Sequence, residues 1–312
     1  MGCVRTYTIA TAALVTAFVL AAIKIFEQPD ALSHWHALTL GVVQGLTELL
    51  PISSSGHLII VPWIAEWRFL EDNGTFNQTF DVALHLGTAL AVAMYFWADL
   101  SRIAIAWITT LQTRDIKTPD ERIGWFILIA TLPALMIGGT LGDTLSVNLG
   151  NPWQIAILLA AFGIILHLTD RMPKKRSLDD LTIKTSVIVG LVQCVALMPG
   201  VSRSGITISA GRALGLERDA AARFSFLLLV PVSIAAVVYT AMRDIVFGEL
   251  PAGWIGPFLV GTIASFGTGL LAIDLLLGII RRYSFSGFVI YRLIAALVIL
   301  GLIASGIRSA SF

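Results

Sequence analysis

The sequence predicts an all-α polytopic membrane protein with an inverted-topology repeat. Each half is one re-entrant helix-loop-helix plus three transmembrane helices, with an extra helix at the N-terminus. Three observations carry this: the composition is too apolar for water, the apolar residues fall in runs of membrane-spanning length, and two of the runs are broken by polar motifs that resemble one another. Of 312 residues, 56% are hydrophobic and 13% charged, whereas a soluble domain holds roughly 45–50% apolar and about 25% charged residues. A soluble enzyme, a disordered chain and a fibrous repeat are all disfavoured. The 27 glycines would weaken water-exposed helices but are tolerated in lipid, where neighbouring helices re-satisfy freed backbone groups.

A hydrocarbon core of about 30 Å takes roughly 20 helical residues to cross. Runs of that kind occur near 7–26, 80–98, 123–141, 153–169, 222–242, 256–280 and 287–307. Two further apolar stretches, 36–63 and 184–213, are interrupted by GlnGlyLeuThrGluLeuLeuProIleSerSerSerGlyHis at 44–57 and ProGlyValSerArgSerGly at 199–205. Pro, Gly and Ser clusters break helices, and irregular backbone at membrane depth survives only where protein or a watery cavity encloses it. Both stretches are therefore expected to be re-entrant. Residues 1–30 form the additional helix, 31–170 the first repeat of a single membrane domain, and 171–312 the second. The N-terminal segment reads as an uncleaved helix rather than a signal peptide, since its apolar region is long and lacks a convincing small-residue cleavage site.

Orientation follows from Lys and Arg, which accumulate in short cytoplasmic loops. Loop 99–122 holds Arg102, Arg114, Lys117 and Arg122, and loop 170–184 holds Arg171, Lys174, Lys175, Arg176 and Lys184, whereas the loop between them, 142–152, has none. Placing the first two inside puts Arg5, Arg212, Arg218, Arg223, Arg281 and Arg282 inside as well, and leaves Lys24, Arg68, Arg243 and Arg308 outside. The N-terminus is then cytoplasmic and the C-terminus outside. The first broken element must dip in from the outside and the second from the inside, which is the mark of an inverted repeat. GlyValValGlnGlyLeuThrGluLeuLeuProIleSerSerSerGly (41–56) and GlyLeuValGlnCysValAlaLeuMetProGlyValSerArgSerGly (190–205) agree with this, sharing Gly, Val, Gln, Ser, Ser and Gly at a constant offset of 149. Inverted repeats place their ligand site near the midplane, where the discontinuous helices meet.

The chemistry should therefore draw on both motifs. Gln44 and Glu48 stand at i and i+4, on one helix face. Glu48 is ionisable inside an apolar segment, a costly placement that usually marks function; pairing with Arg203 as a structural lock is the blander reading. Gln44 alone could equally be interhelical glue. Ser53, Ser54, Ser55, Gly56 and His57 offer hydroxyls, an imidazole and a glycine that lets backbone amides approach a ligand. Ser202, Arg203, Ser204 and Gly205 put a planar, always-charged fork in the interior, suited to phosphate or carboxylate, ahead of a helix N-terminus with free N–H groups. Together these point to a phosphate ester or anhydride, with the acid holding a divalent metal such as Mg²⁺.

Other features read more simply. A net charge of +1 gives no footprint for nucleic acid. Cys3 and Cys194 can build neither a disulfide scaffold nor a metal cluster. His34, His36, His85 and His167 share no ligand spacing, while Asp81 and Asp274 lie in or beside spans as polar glue, helix caps or supporting partners. Oligomeric state is left open, with a homodimer as one option.

From about residue 37 onward the chain resembles the bacitracin-resistance type of undecaprenyl-diphosphate phosphatase. The resemblance rests on the motifs at 44–57 and 199–205, PheAspValAlaLeuHisLeuGlyThr at 80–88 and PheSerPheLeuLeuLeuValPro at 224–231. It implies hydrolysis of a C55 polyprenyl diphosphate to the monophosphate at the bacterial inner membrane, recycling the carrier for peptidoglycan synthesis. By resemblance Gln44 and Glu48 hold a divalent metal, Mg or Ca; Ser54 and His57 serve the phosphoryl-transfer step, either as nucleophile; and Ser55, Ser202 and Arg203 contact phosphate. Gln44 is the less acidic variant of the family's motif, which lowers the expected metal affinity. A polyprenyl-phosphate flippase or transporter is the rival reading, because broken-helix repeats are also a transporter signature.

Overall fold

Inside hydrocarbon every backbone N–H and C=O must find its partner within the protein, which favours helices wherever side chains face lipid. The computed structural model describes residues 32–67, 74–173, 175–246 and 253–311. Among these, regular structure is helical apart from one isolated bridge between Arg176 and Leu216. The extra helix expected over 7–26 lies outside the described residues.

The helices run in order as α1 (His34–Leu49), α2 (Ser54–Ala65), α3 (Gly74–Tyr95), α4 (Trp97–Thr113), α5 (Pro119–Asn148), α6 (Pro152–Asp170), α7 (Ile183–Gln193), α8 (Arg203–Ala213), α9 (Arg218–Thr240), α10 (Ile255–Arg282) and α11 (Ser286–Ala304). A 3₁₀ turn, Cys194–Leu197, extends α7, and a π-helical turn, Ala241–Val246, extends α9. Among the described residues, five helices are long and apolar enough to cross a bilayer, six if α3 and α4, bent by 84°, count as one span. The chain is thus a multi-pass membrane protein. Both interrupted stretches are observed as such: α1 and α2 flank residues 50–53, and α7 with its 3₁₀ turn is separated from α8 by residues 198–202.

One expected loop is instead ordered. Residues 97–113, most of which fall in the stretch read as a charged connection over 99–122, form α4. Its charges sit on one side, while Trp107 packs on Gly124 and Thr110 Oγ1 accepts from Trp125 Nε1 at 2.9 Å. Arg102 Nε reaches Asp120 at 2.8 Å. Tertiary packing on the start of α5 turns a polar-looking stretch into a helix. Similarly, α5 runs on to Asn148, shortening the expected 142–152 connection.

Close packing of small residues positions the first broken element. A Cβ on Gly45 would stand 1.9 Å from Thr268 Oγ1 and 2.5 Å from Ser265 O, and one on Gly41 would stand 2.3 Å from Gly261 O. Small residues four apart let helix backbones approach in lipid, and here they press α1 onto α10. The second element is anchored by charge. Asp170, at the end of α6, accepts from Arg212 Nη2 at 2.9 Å, Arg218 Nε at 2.8 Å and the Phe285 amide at 3.2 Å. This network binds α6, α8, α9 and the start of α11 at one end of the bundle.

Gly45→Val should force α1 off α10; overpacking costs roughly 1–3 kcal/mol. Its melting temperature in detergent is expected to fall by several degrees, whereas Gly267→Ala, where added volume meets nothing within 4 Å, should leave it in place. An unshifted Gly45→Val transition would contradict this packing.

Candidate active site

The two broken segments meet in the bundle interior. Ser53 and Ser202, the residues that start α2 and α8, share an unusual conformation with φ of 75° and 77°. Positive φ is costly for a residue with a Cβ and persists only where surroundings hold it. Here the serine hydroxyls do so by capping their helices: Ser53 Oγ accepts from the Gly56 amide at 3.4 Å and Ser202 Oγ from the Gly205 amide at 3.0 Å. The segments also bond one another directly. The Gly200 amide donates to Ser53 Oγ at 3.1 Å, and Ser204 Oγ donates to the Leu50 carbonyl at 3.0 Å. Ser53 Oγ lies 3.5 Å from Ser55 Oγ, and Ser202 Oγ 3.2 Å from Ser204 Oγ.

Arg292, buried in α11, holds both segments from behind. Its guanidinium donates to Pro51 O at 3.1 Å, Gly200 O at 2.9 Å and Val201 O at 3.1 Å, and to Leu159 O at 2.8 Å. A planar fork with five donors can serve several carbonyls at once, which buried irregular backbone requires.

Glu48 is the centre of the polar cluster, with its side chain 5% exposed. Arg203 Nη2 meets its Oε1 at 2.8 Å while Arg203 Nη1 is held by the Ser225 carbonyl at 2.9 Å. On the other oxygen, Oε2, converge the Ser54 hydroxyl, Gln44 Nε2 at 3.2 Å and His85 Nε2 at 3.3 Å. Of the residues singled out in the sequence, Gln44, Glu48, Ser54 and Arg203 are thus gathered around one carboxylate, with Ser53, Ser202 and Ser204 shaping the backbone beside it. Gly56 and Gly205 are each in the first turn of their helix, supplying amides to the serine caps.

His57 points elsewhere. Its Nδ1 lies 2.6 Å from the Ser53 carbonyl and its Nε2 2.7 Å from Tyr291 Oη, with the two rings stacked at 5.7 Å. It lines a groove of about 280 Å³ between α2 and α11, walled by Ile60, Ile64, Ile294 and Val298. The imidazole at the carboxylate is that of His85, from α3. No spacing linked it to the other candidates, because it lies 37 residues after Glu48; the available signals were its place in the PheAspValAlaLeuHisLeuGlyThr block and an ionisable side chain inside an apolar span.

Among the described residues, no three His, Cys, Asp or Glu side chains form a metal-binding group. The donor set nevertheless suits a divalent cation that takes part of its shell from water and substrate: Glu48 supplies a carboxylate, and Gln44 Oε1 is buried with no hydrogen-bond partner. Oxygen donors of this kind are what Mg²⁺ and Ca²⁺ take.

Because Ser53 Oγ serves two buried amides, Ser53→Ala should strand them, at roughly 1–3 kcal/mol for each unsatisfied group. The variant is expected to melt clearly below wild type, while Ser55→Ala, whose hydroxyl reaches only Ser53 Oγ, stays close to it. Equal shifts would refute the tying role of Ser53.

Comparison with known proteins gives a consistent picture. The family model described as bacitracin resistance protein BacA matches residues 37–298. The chain is 42% identical over 262 residues to the undecaprenyl-diphosphatase of Geobacter metallireducens, covering 83% of this chain and 94% of that protein. The corresponding protein of Geobacter sulfurreducens is 44% identical over 262 residues, with the same coverage of 83% and 94%. That of Thermomicrobium roseum is 43% identical over 275 residues, covering 85% of this chain and 96% of its own.

Proposed function

The chain belongs to the BacA family of bacitracin resistance proteins, and from that premise we propose a reaction centred on Glu48 and Ser54. It is a membrane-embedded hydrolase that converts undecaprenyl diphosphate to undecaprenyl phosphate and inorganic phosphate, recycling the lipid carrier. The observation that carries the assignment of the site is the hydrogen bond that the Ser54 hydroxyl donates to Glu48 Oε2 beside an arginine. A hydroxyl that already donates to a buried carboxylate is an activated nucleophile in waiting.

Phosphoryl transfer passes through a loose transition state, so positioning and charge neutralisation do most of the work. Arg203, with Ser55, Ser202 and Ser204 at the starts of the two helices, binds the diphosphate, while Gly56 and Gly205 leave room for it beside the serine caps. Ser54 Oγ attacks the terminal phosphorus, its proton passes to Glu48, and the bond to the bridging oxygen breaks, releasing undecaprenyl phosphate. Glu48 then loses that proton to solvent. Water next attacks the phosphoserine, its proton passing through Glu48 to Ser54 Oγ as the Oγ–P bond breaks and inorganic phosphate leaves. Gln44 and Glu48 would hold a Mg²⁺ or Ca²⁺ ion, which supplies further neutralisation of phosphate charge. His57, engaged with Ser53 O and Tyr291, supports the lipid-facing side of the site rather than the attack. The prenyl chain stays among the lipid-facing helix walls, so discrimination by chain length should be loose.

The architecture proposed for this site is an inverted repeat of two re-entrant elements, with the N-terminus cytoplasmic and the C-terminus outside. The offset of 149 pairs Ser53 with Ser202, Ser54 with Arg203, Ser55 with Ser204 and Gly56 with Gly205. The matching φ angles and helix caps at Ser53 and Ser202 support it, and the distribution of basic residues supports the orientation.

In detergent, where no second compartment exists and transport cannot imitate the signal, the purified protein should release phosphate from a prenyl diphosphate. Glu48→Ala, Ser54→Ala and Arg203→Ala are each expected to lower kcat by about 100-fold or more, while His57→Ala loses less than Ser54→Ala. Near-normal release by any of the first three would displace the site. Chelation of divalent metal should stop turnover and its restoration recover it; undiminished activity in chelator would reject the metal.

A further inference from the structure

We infer that His85 is a positioning residue for this reaction, holding the Glu48 carboxylate in the orientation that Ser54 needs; the inference rests on the reaction assigned above. Glu48 Oε1 is fixed by Arg203, but a carboxylate held at one oxygen can still swing the other. Three groups hold Oε2: Ser54, Gln44 and His85. Ser54 leaves Glu48 when its oxygen bonds to phosphorus. Gln44 lies on α1 with Glu48, so it cannot fix that helix relative to the rest of the site. His85 alone of the three reaches Oε2 from a helix outside the two broken elements.

The ring is itself anchored. His85 Nδ1 lies 2.7 Å from the Asp81 carbonyl one turn earlier, leaving Nε2 at 3.3 Å from Glu48 Oε2. Its side chain is 29% exposed against 5% for Glu48, so it forms the more open edge of the cluster. The two nitrogens thus have separable duties, one toward its own helix and one toward the reacting carboxylate.

Two amide side chains separate those duties. A glutamine amide reaches about as far as Nε2 and can still donate to Glu48, while an asparagine amide reaches about as far as Nδ1 and can keep only the Asp81 contact. Steady-state phosphate release from a prenyl diphosphate in detergent should then rank His85→Gln within about threefold of wild-type kcat. His85→Asn and His85→Leu should fall by about tenfold or more at nearly unchanged KM, as expected for a misplaced catalytic group. Melting curves accompany each variant. If His85→Asn matches or exceeds His85→Gln, if the loss lies in KM, or if all three variants turn over like wild type, the positioning role is wrong. If the wild-type protein itself releases no phosphate, the reaction assignment fails first and takes this inference with it.

Discussion

The Glu48–Arg203 ion pair is the interaction on which the site depends, because it joins a carboxylate from one broken helix to a guanidinium from the other at 2.8 Å. Neither charge could remain alone in this buried interior: removing one partner of a buried pair leaves an uncompensated charge and is strongly destabilising, by about 3–5 kcal/mol. The pairing therefore explains why two irregular segments meet. In the proposed mechanism the same arginine would turn its charge to a phosphate while the same carboxylate would accept a proton from Ser54.

Holding that pair together requires the backbone around it to be satisfied without water. Ser53 and Ser202 cap the helices that restart after each break, and Arg292 supplies donors to Pro51, Gly200 and Val201. Farther out, α1 is pressed onto α10 through Gly41 and Gly45, while Asp170 binds Arg212 and Arg218. The apolar groove beside His57 and the polar cluster around Glu48 both border α2, near its first turns. That arrangement suits a substrate with one long apolar end and one highly charged end.

Much of this was legible in the sequence for a physical reason: charge and broken backbone are expensive in lipid. Glu48 and Arg203 stood out as ionisable residues in apolar runs, and the Ser/Gly clusters stood out as breaks. Arg292 is a charged residue inside a long helix with no local motif around it, and His85, although it falls in the PheAspValAlaLeuHisLeuGlyThr block, has no spacing that ties it to Glu48. Their partners lie far away in sequence, so only the fold reveals them. His57 illustrates the converse: it closes the SerSerSerGlyHis motif, yet its place on α2 directs its ring toward Tyr291. The helix at 97–113 escaped notice because Asp99 and Arg102 make its start look like a loop, and its packing on Gly124 and Trp125 is not a local property.

The most direct measurement is the proximity of the two interrupted segments in the membrane. In a chain with Cys3 and Cys194 replaced by serine, Leu50→Cys and Ser204→Cys would be introduced together, since Ser204 Oγ meets the Leu50 carbonyl at 3.0 Å. The two halves, divided in the exposed stretch after Asp170 and co-expressed, would be treated with a short bifunctional thiol reagent. Efficient covalent joining of the halves, absent from either single variant, is the expected result. Halves that stay separate under conditions that label both cysteines would contradict the meeting of the segments, and with it the shared site.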